Sequence, residues 1–284
     1  MIKLFPFIFI LLWSSAFITT KPIVDNSEPF SALAFRFLIV ALGFLIFSYF
    51  KKQKIIISKK NAIESLLTGV LFHGFYLGGV FFSISRGMPT SIAALIVTLQ
   101  PILTNILAGP LLNEKISWRQ WLGIFLGFIG AALVLGLDIG QSIPVIGVMA
   151  SFVALFAITA STIWQKKLSH NISLPVNNMY QAIGGFLFHF LIILFLTKPY
   201  INFSSTFIIA MSHQILLVSF GAFTILMYLI KHNSASKTVS LFFLIPATSA
   251  IIAWIFLNET LNIYDFLGFA IASIGVFIAT RENK

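Results

Sequence analysis

The chain lacks cysteine and carries little charge. None of its 284 residues is Cys, and only 9% are Asp, Glu, Lys or Arg. The missing thiols exclude a disulfide-stabilised domain and a thiolate metal site. Soluble domains carry about 25% charged residues, so this chain cannot cover a globular surface with charge. Disorder is excluded as well, because 58% of the residues are hydrophobic.

Acidic residues are scarcer than basic ones, with 8 Asp and Glu against 18 Lys and Arg. The resulting charge of +10 would suit a nucleic-acid partner only if the basic residues formed a patch on a soluble domain. Instead they form short clusters between apolar runs. The motifs of zinc proteases, P-loop proteins and serine hydrolases are missing. We therefore expect no enzyme activity, cofactor, metal site or nucleic-acid partner.

Ten apolar runs dominate the chain, and each is long enough to cross a bilayer as a helix of about 20 residues. Lipid offers no hydrogen bonds to the backbone, and the runs lack the alternation of a barrel strand. The sequence therefore predicts an all-α membrane protein with ten transmembrane helices. The predicted spans are 4–23, 31–50, 63–83, 90–111, 118–137, 144–165, 178–197, 206–230, 238–257 and 264–280.

The basic residues predict the orientation of these spans. If the N-terminus is cytoplasmic, the inside segments hold fourteen Lys and Arg and the outside segments hold three. This bias is the positive-inside pattern. We expect an integral, multi-pass protein of the inner (cytoplasmic) membrane with both termini in the cytoplasm.

The two halves of the chain are related by an offset of 145 residues. Between 99 and 130, 11 of 32 positions are identical to their partners, among them Pro101 with Pro246 and Glu114 with Glu259. We expect two five-helix repeats, 1–139 and 140–284. Five is odd, so the second repeat is inverted, which is characteristic of secondary transporters with a site near the midplane.

These residues resemble the drug/metabolite transporter superfamily, of the ten-helix EamA type. The matching segments are Trp13-Ser14-Ser15-Ala16-Phe17 with Lys21, Pro29, Arg36-Phe37, Ser91 to Ile96, Leu99-Gln100-Pro101, Leu112 to Ile116, Gln120, Gly123 and Gly130, then Leu244-Ile245-Pro246, Leu257-Asn258-Glu259, Gly268 and Gly275. The resemblance implies a carrier of small organic metabolites, often an exporter, with a central cavity lined by both halves. It does not fix the substrate.

The leading hypothesis is a secondary-type transporter, an exporter or exchanger of solutes such as amino-acid-like metabolites, working by alternating access. The alternative is a non-transporting membrane scaffold or a subunit that binds lipid or a partner protein. The expected partners are a small-molecule substrate and the bilayer, with a proton as the candidate coupling ion. The direction of transport and the choice between monomer and homodimer stay open.

Arg36 is the only charged residue well inside a span, about five residues from the outer end of span 2. Intramembrane charges usually face the interior and mark substrate paths, and a guanidinium suits a carboxylate or phosphate. The alternatives are snorkelling to the interface or an ion pair with Asp25 or Glu28. No Asp or Glu lies deep in a span, so a cationic substrate has no obvious carboxylate partner.

The remaining cavity candidates are polar or aromatic residues at mid-span. His73 and Tyr76 are three residues apart and share a helix face. His73 is a candidate proton relay or a structural histidine. Trp13 lies too deep for an interfacial belt. The other candidates for the substrate cavity are Gln100, Asn105, Gln181, Ser240 and Phe243.

Two repeated pairs predict features at matching places in the two halves, and each is open to a static interpretation, a packing kink or a structural lock, as well as to a mobile one. Pro101 and Pro246 each remove a helical hydrogen bond in mid-span, which predicts a kink and a candidate hinge. Glu114 and Glu259 end spans 4 and 9, where a carboxylate opposes the helix dipole. We expect each to bind the helix N-terminus in the following turn, as a structural lock or as a gate.

Overall fold

The computed structural model describes residues 4–88, 90–135, 144–168, 172–257 and 263–281. Within these ranges the chain forms ten apolar helices, numbered α1 to α10, and nine of them pass the length and hydropathy criteria for crossing a membrane. The tenth, α5, is slightly shorter and ends next to residues outside the described ranges. The predicted ten-helix membrane architecture is confirmed.

The helices follow the predicted spans to within a few residues. Their bounds are Phe5–Asp25 for α1, Pro29–Phe50 for α2, Lys59–Ser85 for α3, Thr90–Val97 with Gln100–Leu112 for α4, Trp118–Leu135 for α5, Val145–Leu168 for α6, Leu174–Leu196 for α7, Ser205–His232 for α8, Ala235–Leu257 for α9, and Ile263–Thr280 for α10.

Side-chain caps determine where several helices begin. The Glu28 carboxylate accepts hydrogen bonds from the backbone N–H groups of Phe30 and Ser31, and Pro29 occupies the first turn of α2. Ser204 and Ser234 cap α8 and α9 through their hydroxyl oxygens. Each cap satisfies backbone donors that the first turn of a helix leaves free.

The helices α3 and α8 share an irregularity at the same repeat position. Each contains a π-helical segment, Val70–Tyr76 in α3 and Gln214–Ala222 in α8. At the offset of 145 residues, the segment in α3 aligns with the segment in α8. Such segments are frequent at functional sites because they redirect side chains within a helix.

The helices α4 and α9 are interrupted just before their prolines. The α-helix of α4 is broken at residues 98–99, ahead of Pro101, and α9 passes through a 3₁₀ turn at Leu241–Leu244, ahead of Pro246. A proline cannot donate to the carbonyl four residues earlier, so the regular ladder ends there. The hinge role of these prolines stays a prediction.

Helix pairing shows the inverted repeat directly. The most extensive contacts join α5 to α10 and α2 to α7, which are repeat-related pairs. The first helix of each repeat crosses into the other: α1 packs on α8 and α9, while α6 packs on α3 and α4. Each of these contacts therefore has a counterpart under the repeat, as expected of two inverted five-helix copies.

Matched glycines hold α5 against α10. A Cβ on Gly130 would lie 2.5 Å from the carbonyl oxygen of Gly268, and one on Gly123 would lie 2.5 Å from that of Gly275. No real Cβ approaches an oxygen so closely. The backbones thus touch, as in the small-residue interfaces that favour helix association in lipid.

We predict that Gly130→Ala lowers the thermal unfolding midpoint of the purified protein in detergent by several degrees. The added methyl group overpacks the α5–α10 interface, a change that costs about 1–3 kcal/mol. Gly109→Ala is the matched control, since its Cβ would have only one neighbour, 3.9 Å away. Equal midpoints for the two variants would show that the glycine contact does not hold these helices together.

Candidate functional site

A narrow cavity lies between α1, α2, α3 and α8, in the middle of the helix bundle. Its volume is about 40 Å³, which holds a few water molecules but no organic solute. Aromatic and aliphatic side chains form most of its wall. The polar lining residues are Thr20, Arg36, His73, Tyr76, Gln214 and Ser219.

The charge in this cavity belongs to Arg36. Its side chain is only 3% exposed, and its Nε donates a hydrogen bond of 2.9 Å to the Ser219 hydroxyl on α8. The guanidinium carbon lies 5.3 Å from the ring centre of Phe37. Among the described residues, no carboxylate forms an ion pair with Arg36. The cavity therefore holds a buried cation that has no counter-charge in the ranges that the structure describes.

Within the described ranges, the structure excludes the two alternatives for Arg36, which are an ion pair with Asp25 or Glu28 and snorkelling to the interface. Asp25 pairs with Lys21 on the surface. Glu28 caps α2 and also accepts from the Ser31 hydroxyl, so it is occupied elsewhere. Arg36 does not snorkel to the interface, because its side chain is buried against α8.

Aromatic side chains form the walls around the cation. Trp13 and Phe72 meet edge to face, with ring centres 6.0 Å apart, and Phe223 packs 5.0 Å from Phe72. Tyr76 packs edge to face on Phe72 as well. This lining, with one cation between apolar walls, combines the chemistry that binds an anionic group with the chemistry that binds an apolar part, although the space between the side chains is too small for an organic solute.

The two histidines at mid-span have different environments. His73 lines the cavity, and its Nδ1 is buried without a hydrogen-bond partner among the described residues. His189 lies outside the cavity and its Nε2 is 2.9 Å from the backbone carbonyl oxygen of His73. Its ring is stacked on Phe37. His189 thus joins α7 to α3, as expected of a structural histidine.

The other predicted cavity residues lie outside this cavity, among helix contacts. Gln100 donates to Thr162, and Gln181 donates to Gln165. The remaining three are also engaged within the bundle: Asn105 with the Pro101 carbonyl, Ser240 with the Ser236 carbonyl, and Phe243 against Gly127. Of the predicted residues, the structure brings together Trp13, Arg36, His73 and Tyr76.

Sequence reasoning missed Gln214 and Ser219, the two polar residues that α8 contributes. The internal repeat contains the signal that could have identified these two residues. At an offset of 145 residues they replace Gly69 and Gly74 of α3, and Gly69 lets α3 contact the backbone of Gln181. The repeat relates the helix pair α2–α8 to the pair α7–α3. The pair α2–α8 lacks these glycines, and its helices make less contact with each other than those of α3–α7. The cavity occupies the space left between α2 and α8.

Glu114 contacts the second repeat rather than the following turn. Its carboxylate accepts from the backbone N–H groups of Ala235 and Ser236 at 2.7 and 3.2 Å, and from the Ser236 hydroxyl at 2.7 Å. The helix N-terminus that Glu114 binds is therefore that of α9, because α9 begins beside the end of α4. Glu259 lies outside the described residues.

The comparisons with known proteins agree with this architecture. The sequence model described as the EamA-like transporter family matches residues 2–136 and again residues 145–281. The chain belongs to the EamA-like transporter family. It is accordingly a multi-pass membrane protein of a transporter family, which agrees with the predicted resemblance.

Relatives of this EamA-like chain match it over nearly its full length. The uncharacterized transporter YvbV of Bacillus subtilis is 24% identical and covers 97% of this chain and 90% of its own. A probable amino-acid metabolite efflux pump of Salmonella typhimurium is 23% identical, covering 95% and 91%. A solved crystal structure superimposes with a TM-score of 0.84 at 17% identity, over 98% of this chain and 96% of the other, which shows the same fold.

Proposed function

We propose that this chain is a secondary-type carrier that exports or exchanges small organic metabolites bearing an anionic group, such as amino-acid-like solutes. The observation that carries the proposal is Arg36, a buried guanidinium without a carboxylate partner among the described residues. Burying an ion costs several kcal/mol unless a partner compensates it. A carboxylate of the solute is the compensation that we propose.

The chemistry of the guanidinium narrows the solute class. Its planar fork binds carboxylate or phosphate oxygens in pairs, with charge-assisted hydrogen bonds. Ser219 occupies only Nε. The aromatic walls at Trp13 and Phe223 suit an apolar side chain of the solute. Relatives named as probable amino-acid metabolite efflux pumps support an amino-acid-like substrate for this chain too.

We propose alternating access around this site as the mechanism. A cavity of about 40 Å³ is too small for an amino acid, so the helices around Arg36 must separate before a solute can bind. The repeats supply matched contacts on the two sides of the bundle, and rocking of one group of helices against the other is how inverted repeats expose a fixed site. His73 is the candidate proton carrier, since it is the mid-span histidine that lines the cavity with Arg36.

We predict that Arg36→Ala reduces the transport of anionic amino-acid-like solutes into proteoliposomes by at least about tenfold, because the carboxylate loses a charge-assisted bidentate partner. Arg86→Ala is the matched control, since Arg86 is exposed beyond the end of α3. Uptake that survives Arg36→Ala unchanged would contradict the proposed role of Arg36.

We propose that Glu114 is a gate on the face of the bundle where α1 begins. It bonds the end of α4 to the start of α9, and these helices belong to different repeats. Separating the repeats on this face breaks those hydrogen bonds. The offset of 145 residues predicts an equivalent role for Glu259 on the opposite face, so that the two caps would form alternately.

We predict that Glu114→Gln opens this face more often, since hydrogen bonds to a charged group contribute about 1.5–3 kcal/mol and a neutral amide replaces only part of them. The measurement is the rate at which a buried cysteine, introduced as Ser240→Cys, reacts with a small maleimide. The rate should rise several-fold. Glu64→Gln in the same background is the control, and equal rates in both would rule out the gate.

We also propose that both termini lie in the cytoplasm, as the distribution of Lys and Arg indicates. The chain contains no native cysteine, so single cysteines report topology without background. In intact cells, we predict that a membrane-impermeant maleimide labels Arg86→Cys and leaves Lys52→Cys unlabelled until the cells are opened. Both positions are exposed. The reverse pattern would invert the proposed orientation.

A further inference from the structure

A second cavity lies at the side of the bundle, between α1, the end of α8, α9 and α10. Its volume is about 630 Å³, far larger than that of the Arg36 cavity, and its lining is mostly apolar. Phe7 and Leu11 of α1 and Phe277 of α10 form part of the wall and are more than half exposed. The cavity therefore faces the lipid phase and is separate from the site around Arg36.

The depth of this cavity corresponds to one leaflet. Along α10 its lining extends from Phe269 to Thr280, the residue at which the helix ends. Eleven helical steps span about 16 Å, which is roughly half of the 30 Å hydrocarbon core. An extended acyl chain entering from the face where α1 begins would fit this depth.

Polar and cationic residues gather at the mouth on that same face. Lys237, Thr238 and Asn233 line the cavity where α8 ends and α9 begins. Arg281 follows the end of α10, and its guanidinium carbon lies 5.8 Å from the ring centre of Phe277, a wall residue. Neither cation forms a salt bridge with any carboxylate in the described part of the chain.

We infer that this cavity binds one anionic phospholipid, with an acyl chain between α1 and α10 and the phosphate between Lys237 and Arg281. The apolar wall matches hydrocarbon, and the two cations match a negatively charged headgroup. Basic pockets between transmembrane helices bind anionic headgroups in this way. The bound lipid would occupy the side of α9, next to the end that Glu114 caps.

The test uses the full-length protein, purified and delipidated, and measures lipid binding by native mass spectrometry. The probes are phosphatidylglycerol and phosphatidylcholine with identical acyl chains. We expect phosphatidylglycerol to bind more tightly, and each of Lys237→Gln and Arg281→Gln to reduce that preference about fivefold. Lys52→Gln, an exposed residue away from the cavity, should leave the preference unchanged.

Two further binding measurements distinguish recognition of the acyl chain from recognition of the headgroup. Ser273→Trp fills the cavity and should reduce the binding of both lipids, while glycerol 3-phosphate should not compete with phosphatidylglycerol. The inference is overturned if the wild-type protein shows no preference for phosphatidylglycerol, or if the Lys237→Gln, Arg281→Gln double variant keeps it. Effective competition by glycerol 3-phosphate would also overturn it, since that result indicates a phosphate site rather than a lipid site.

Discussion

The burial of the Arg36 guanidinium, which pairs with no carboxylate in the described part of the chain, is the constraint on which the proposed function depends. Arg36 is buried within the bundle and donates a hydrogen bond to Ser219 on a helix of the other repeat. A charge in such a place is costly. The cavity surrounds this cation with largely aromatic walls, and we propose that an anionic solute completes the site.

The two repeats share a fold but differ at the site, and this difference makes one site rather than two. Gln181 replaces Arg36 in the second copy and donates to Gln165 within a buried amide network. Gly69 brings α3 of the first repeat against the backbone of Gln181, whereas its counterpart in the second repeat, Gln214, lines the cavity with Arg36. Duplication thus supplies related helix pairs, and divergence at a few positions leaves a cation at Arg36 and an amide at its counterpart Gln181.

The sequence predicted the fold well and the site only in part. Lipid requires each span to satisfy its own backbone, so apolar length alone revealed ten helices, and the offset of 145 residues revealed their inversion. Arg36 stood out because charge is rare in a span. Ser219 could not be found in this way, since a serine is unremarkable in an apolar helix and the π-helical segment that surrounds it leaves no local pattern. Gln100 and Gln181 lie outside this cavity and bond to neighbouring helices, because buried amides do so as readily as they bind solutes.

Thermal unfolding of the purified protein without added solute tests the central claim most directly. If Arg36 is retained for solute binding, replacing it by methionine removes an uncompensated buried charge and keeps most of the side-chain volume. The account predicts that Arg36→Met unfolds at the same temperature as the wild-type protein or at a higher one. A fall of several degrees would contradict the account, because it would show that the guanidinium stabilises the bundle itself.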